Sequence, residues 1–151
     1  MLALHGARKR EPSPTVEKSP LALALGARNR LADERAQLDA INVFPVADGD
    51  TGSNMLATVE AIVAALRDPS VDPARAAADA ALMGARGNSG TILSALVRAA
   101  ALALDGGADV PTALRAGVDA AYASVPEPVE GTMLTVARAA ADACEIGRAH
   151  V

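Results

Sequence analysis

Tryptophan is absent, and Phe44 and Tyr122 are the only aromatic residues among 151. A sheet built on aromatic and β-branched side chains is therefore not expected; with alanine abundant, the composition predicts closely packed helices and an all-α fold. Cysteine is reduced to Cys144, which excludes an internal disulfide framework and a cysteine-based zinc site. The two histidines, His5 and His150, stand at opposite ends and read as incidental tail residues. Positive charge is scarce as well. A net charge of −4 argues against a nucleic-acid surface, because neutralising phosphates needs clustered Lys and Arg. No apolar run of about 18 residues is free of charge, so no integral membrane segment is expected. The basic residues near the N-terminus follow a very short apolar piece rather than precede a long one, and a cytoplasmic location is expected.

Hydrophobic residues make up 51% of the chain, enough to bury a core for one domain. Residues 1–20 mix Arg8, Lys9, Arg10, Pro12, Pro14 and Pro20 and read as a flexible leader. Beyond it, Leu21, Leu25, Leu31 and Leu38 give a helix with a thin apolar stripe, ending near Asp39. A loop over 42–52 follows, and Ser53 offers an N-cap to a second helix. Met55, Val59, Ile62, Val63 and Leu66 share one face of that helix, which Asp68-Pro69 stops. Pro73 opens a third helix, to Met83, with Gly84 ending it. Leu93, Leu96, Val97, Ala100 and Leu104 mark a fourth, starting near Thr91; Pro111 opens a fifth, through Tyr122, and Thr132 a last one. Antiparallel helices result, with three polar, glycine-bearing loops that each lead into a helix N-terminus.

The first loop holds Asp48 and Asp50, and Gly49 between them lets the backbone turn so that both carboxylates can face one hard cation. Magnesium suits this arrangement, since it takes few protein carboxylates and completes its shell with phosphate oxygens, which the free N–H groups and positive end of the next helix would also attract. The plainer alternative is that Asp48 and Asp50 form Asx turns and cap the helix. A calcium EF-hand is excluded, because Ser53 and Val59 fall where glycine and glutamate are required. The second loop, residues 84–90, offers unshielded backbone N–H groups and the Ser89 hydroxyl as a phosphate cradle, or else is a tight helix–helix connection using glycine for close approach. It is neither a P-loop nor a dinucleotide fingerprint. Arg86 could meet a phosphate or simply face solvent. In the third loop, Gly131, Thr132 and Met133 could wall an adenine or ribose, or Thr132 could merely cap the helix with Met133 in the core.

Taken together, residues 42–55 (NVFPVADGDTGSNM), 84–92 (GARGNSGTI) and 128–136 (PVEGTMLTV) resemble the DhaL-type nucleotide-binding domain of dihydroxyacetone kinases. The nearer likeness is to the N-terminal domain of the bacterial fatty acid kinase A subunit. The resemblance covers residues 21–144 and implies an antiparallel helical barrel, incomplete in this chain, with ATP and two magnesium ions bound by loops at one end. It places Asp48 and Asp50 as metal ligands, with Asn42 as a third where dihydroxyacetone kinases carry an aspartate, and Asp39 competing for that role. It places Thr51, Ser53, Asn54 and Met55, then Gly87, Asn88, Ser89 and Gly90, then Gly131, Thr132 and Met133, around the nucleotide. Thr51 and the Val43-Phe44-Pro45 insertion point to the fatty-acid branch.

In that branch the resemblance implies a partner protein that presents a fatty acid carboxylate for phosphorylation; in the other, a sugar-binding kinase subunit. It leaves a homodimer open. From a different class, the chain could be a non-catalytic helical interaction module, against which the retention of both aspartates counts. Residues 145–151 read as the translation of a common sequencing-adapter start (GAG-ATC-GGA-AGA-GCA-CAC-GTC). On that reading natural sequence stops near Cys144, the missing helices leave part of the ATP pocket open, and the fragment is marginally stable, weak in nucleotide binding and inactive by itself.

Overall fold

The computed structural model describes residues 19–43 and 46–149. The expected leader lies almost wholly outside them, as do Phe44, Pro45, His5 and His150. The described residues form six helices and no strand: α1 (Pro20–Ala40), α2 (Thr51–Leu66), α3 (Pro73–Gly84), α4 (Gly87–Asp105), α5 (Val110–Ala123) and α6 (Met133–Ala149). The all-α expectation is borne out.

Each helix packs on the next in sequence, and α2 packs on α4 as well. Short connections between packed neighbours turn the chain back on itself, so α1, α3 and α5 run one way and α2, α4 and α6 the other. The array is an open arc, since α1 has its main partner in α2 and α6 in α5. Its centre is made of small side chains. Ile62, Ala77 and Ala81 form the buried cluster, with Ala24, Leu66, Ala80 and Val97 packed around it. Of the predicted α2 face, Val59, Ile62 and Val63 are buried, whereas α1 buries no residue fully.

Glycine permits the close helix approaches. A Cβ on Gly52 would lie 2.5 Å from the Arg35 carbonyl of α1, and one on Gly117 would lie 2.7 Å from the Leu96 carbonyl of α4. Helix α4 is long and apolar enough to cross a membrane by length and composition. It nevertheless carries Arg98 and sits in the middle of the arc, against α2, α3 and α5.

Two helix starts differ from the sequence expectation. Helix α2 begins at Thr51, and Ser53 is not its cap, because Ser53 is already inside the first turn and donates to Asp39. Helix α4 begins at Gly87 rather than near Thr91, leaving Ala85 and Arg86 as the whole connection from α3. Gly87 has φ +58°, a left-handed conformation that glycine adopts readily.

Candidate functional site

The two ends of the array finish their helices differently. Helices α1, α3 and α5 start with local caps: Ser19, Asp72 and Asp109 accept from the N–H groups of Ala22, Arg75 and Thr112 at 3.2, 2.8 and 2.9 Å. Proline in the first turn of each completes the pattern. At the other end, the N-cap residues of α2 and α4, Asp50 and Arg86, make no side-chain capping bond. Their first-turn N–H groups carry the positive ends of two parallel helices.

Asp39, from the last turn of α1, reaches across instead. Its carboxylate accepts from the Ser53 N–H at 3.0 Å and from the Ser53 hydroxyl at 2.8 Å. The backbone bond from Ser53, then the hydroxyl bond, hold its pKa below the usual aspartate value. Asp39 is thus committed to α2, and Asp50, sitting half-buried at the helix start, is not spent on capping. Gly49, with φ +67°, makes the reversal between Asp48 and Asp50. Asn42 crosses the loop: its Nδ2 donates to the Val46 carbonyl at 3.1 Å and to Asp48 Oδ1 at 2.6 Å, while its Oδ1 accepts from Thr51 at 2.8 Å.

The second glycine motif serves close packing and also opens a helix. A Cβ on Gly84 would strike the Ala61 side chain, one on Gly87 the Asn54 amide, and one on Gly90 would lie 2.6 Å from Thr58 Oγ1. Thr58 is fully buried and donates back to the Asn54 carbonyl at 2.8 Å. With α4 thus pressed against α2, the Ser89 hydroxyl comes within 3.3 Å of Thr51 Oγ1. Arg86 is exposed and donates to the Ala85 carbonyl at 3.0 Å.

The third loop is held by Glu130. Its carboxylate accepts from Thr135 at 2.7 Å, Arg138 at 2.6 Å and Tyr122 at 3.2 Å, and the Arg138 guanidinium lies 5.2 Å from the Tyr122 ring centre. The Thr135 bond, with Arg138 and Tyr122 behind it, depresses the Glu130 pKa. Desolvation, followed by the bond to Glu130, raises that of Tyr122. Gly131, at φ +81°, leads into α6, and Thr132 Oγ1 donates to the Val129 carbonyl at 2.8 Å while accepting from Leu134 N at 3.3 Å.

These three segments surround one cavity of about 830 Å³. Asn42, Thr51, Met55, Asn88, Ser89, Gly131, Thr132 and Met133 line it. Asp48 and Asp50 stand in the adjoining loop rather than among the lining residues; Ser53 faces Asp39, Asn54 underlies Gly87, and Gly90 is buried against Thr58. Much of the remaining wall is apolar, from Leu38 of α1 and Ile41 just after it across to Leu134 and Val136 of α6, with Glu127 its one ionisable side chain among the described residues. Sequence reading missed this wall, the Asp39 cap and the Glu130 clamp. All three join residues through folding rather than helical spacing, and no local signal marks them.

Among the described residues no three His, Cys, Asp or Glu side chains form a ready-made metal cage. Two carboxylates in one loop fit magnesium, which leaves most of its shell to water and phosphate, and do not fit structural zinc.

A family model for the DAK2 domain matches residues 45–150, and the chain belongs to that kinase-related family, whose domains bind nucleotide. Protein YloV of Bacillus subtilis is 43% identical over 125 residues, covering 77% of this chain and 22% of that protein. An uncharacterized Staphylococcus saprophyticus protein is 43% identical over 127 residues, covering 78% of this chain and 23% of that protein. A Staphylococcus aureus (strain USA300) protein, also uncharacterized, is 41% identical over 127 residues. The chain thus spans less than a quarter of the length of the curated relatives it matches.

Proposed function

We propose that the chain binds ATP with Mg2+ where α2, α4 and α6 begin, as the nucleotide-holding part of a phosphotransferase. The observation that carries this reading is that α2 and α4 leave their starts without a local side-chain cap on the same cavity that the third loop walls. Backbone N–H groups at the start of α4 suit phosphate oxygens, and the apolar wall with Met55 and Met133 suits a purine face. Asp48 and Asp50 would hold the metal, with Asn42 beside them. When bound, the ion neutralises charge on the phosphate oxygens and aligns the terminal phosphoryl group.

The chain's own residues orient the donor and supply no covalent intermediate. An acceptor oxygen attacks the γ-phosphorus, the bond to the β–γ bridging oxygen breaks, and ADP departs with that electron pair. The acceptor that best suits the first motif is a fatty acid carboxylate presented by a partner protein in the cytoplasm, giving an acyl phosphate. Thr51 and Val43, at the positions that mark this branch, support it over a sugar acceptor.

The test is calorimetric titration with a non-hydrolysable ATP analogue, with and without Mg2+, for the unaltered chain, Asp48→Ala and Asp50→Ala. Magnesium-dependent binding lost in either variant is the expected result. Binding indifferent to magnesium and to both substitutions would sink the proposed site.

A further inference from the structure

The amide of Asn42 can be oriented in one way only. Its Nδ2 lies against the Asp48 carboxylate at 2.6 Å and the Val46 carbonyl at 3.1 Å, two groups that only accept, so inverting the amide would set oxygen against oxygen twice. The Oδ1 left over takes the Thr51 proton at 2.8 Å. Thr51 has no second proton, so across the 3.3 Å contact with Ser89 it is the acceptor and Ser89 the donor. A one-way relay follows, Ser89 to Thr51 to Asn42 to Asp48, joining the first turn of α4 to the first loop.

We propose that Asn42 is a positioning residue and not a metal ligand: its amide N–H group aims the Asp48 carboxylate, and its oxygen ties that carboxylate through Thr51 to the start of α4. The inference rests on the reading of Asp48 as a metal carboxylate. It also divides the labour in the cavity. Thr51 and Ser89 spend their protons on the relay and keep lone pairs for a ligand, so they suit a metal-bound water or a ribose hydroxyl. Phosphate oxygens, which only accept, are left to the backbone N–H groups at the start of α4.

The discriminating variant is Asn42→Asp, which keeps oxygen at the ligand position and removes the donor. Binding of Mn2+ with a non-hydrolysable ATP analogue is followed by the electron paramagnetic resonance signal of free Mn2+. Asn42→Asp and Asn42→Ala are both expected to weaken binding roughly 10–100-fold, the usual effect of losing an outer-shell partner. Thr51→Ser, which keeps the hydroxyl, restores what Thr51→Val loses. Asn42→Asp binding Mn2+ as tightly as the unaltered chain, or more tightly, makes Asn42 a ligand and overturns the proposal.

A second measurement needs no ligand. In thermal unfolding of the ligand-free chain, Asn42→Ala and Asp48→Ala together should lower the midpoint by less than the sum of their separate losses; strict additivity overturns the relay. If the unaltered chain binds no nucleotide at all, the proposed function falls and this cycle decides the relay on its own.

Discussion

The end of the molecule where α1, α3 and α5 begin and the end where α2 and α4 begin are built from the same parts and finished in opposite ways. At the first, Ser19, Asp72 and Asp109 satisfy the helix starts locally, with proline in each first turn. At the second, Asp50 and Arg86 leave them without a local side-chain cap, and the single cap that α2 receives, Asp39, comes from another helix. A helix start satisfied by its own sequence contributes to stability and has little left to offer a ligand; α4, without a local cap, gives up some stability and keeps its donors for an anion. The contrast separates the scaffold from the site without any difference in secondary structure.

The largest test asks whether the two ends share one core. Ile62→Ala, at 5% exposure in the central cluster, should cost about 2–5 kcal/mol in chemical denaturation. If the ends were independent units, two transitions would replace one. Gly90→Ala drives a methyl toward the fully buried Thr58 and should cost about 1–3 kcal/mol. It should also separate the starts of α2 and α4, so a fall in nucleotide affinity beyond the loss of stability is expected by calorimetry.

A cap removed at one end and a cap added at the other sharpen the contrast further. Asp72→Ala should cost about 1 kcal/mol and leave nucleotide affinity unchanged. Arg86→Ser, at a position whose backbone (φ −128°, ψ 132°) already suits a cap, should gain about 0.5–1 kcal/mol and weaken nucleotide binding. Equal effects of these two changes on affinity would break the distinction between the ends.

The smallest effect is in acid. Because folding lowers the Asp39 pKa, its contribution is fully present above the ordinary aspartate value, about 3.9, and is lost as pH falls through the depressed folded value. Asp39→Asn should therefore flatten the acid limb of a melting-temperature profile below about pH 4 and leave the neutral region's slope unchanged.

Six helices were legible in the periodicity, since proline and glycine punctuate each one and alanine leaves few competing structures. The starts of α2 and α4 were read two to four residues late, at Ser53 and near Thr91 instead of Thr51 and Gly87. The local sequence holds no cap for α2; Asp39, 14 residues upstream of Ser53, supplies it from the neighbouring helix. Gly84, Gly87 and Gly90 fit the close-approach reading, since a Cβ on each would strike α2; the phosphate cradle belongs to the proposed function.

By itself the sequence determined that the chain is helical, where proline and glycine end its helices, and that three glycine-bearing motifs each precede a helix start. Those properties are local, set by propensity, spacing and φ. Only the tertiary structure decided that the three motifs line one cavity, that Asp39 frees Asp50 from capping, and that Ser89 reaches Asp48 through Thr51 and Asn42. Each of these needs two backbones held within hydrogen-bond reach across different helices, a distance set by packing and invisible in the order of residues along a chain.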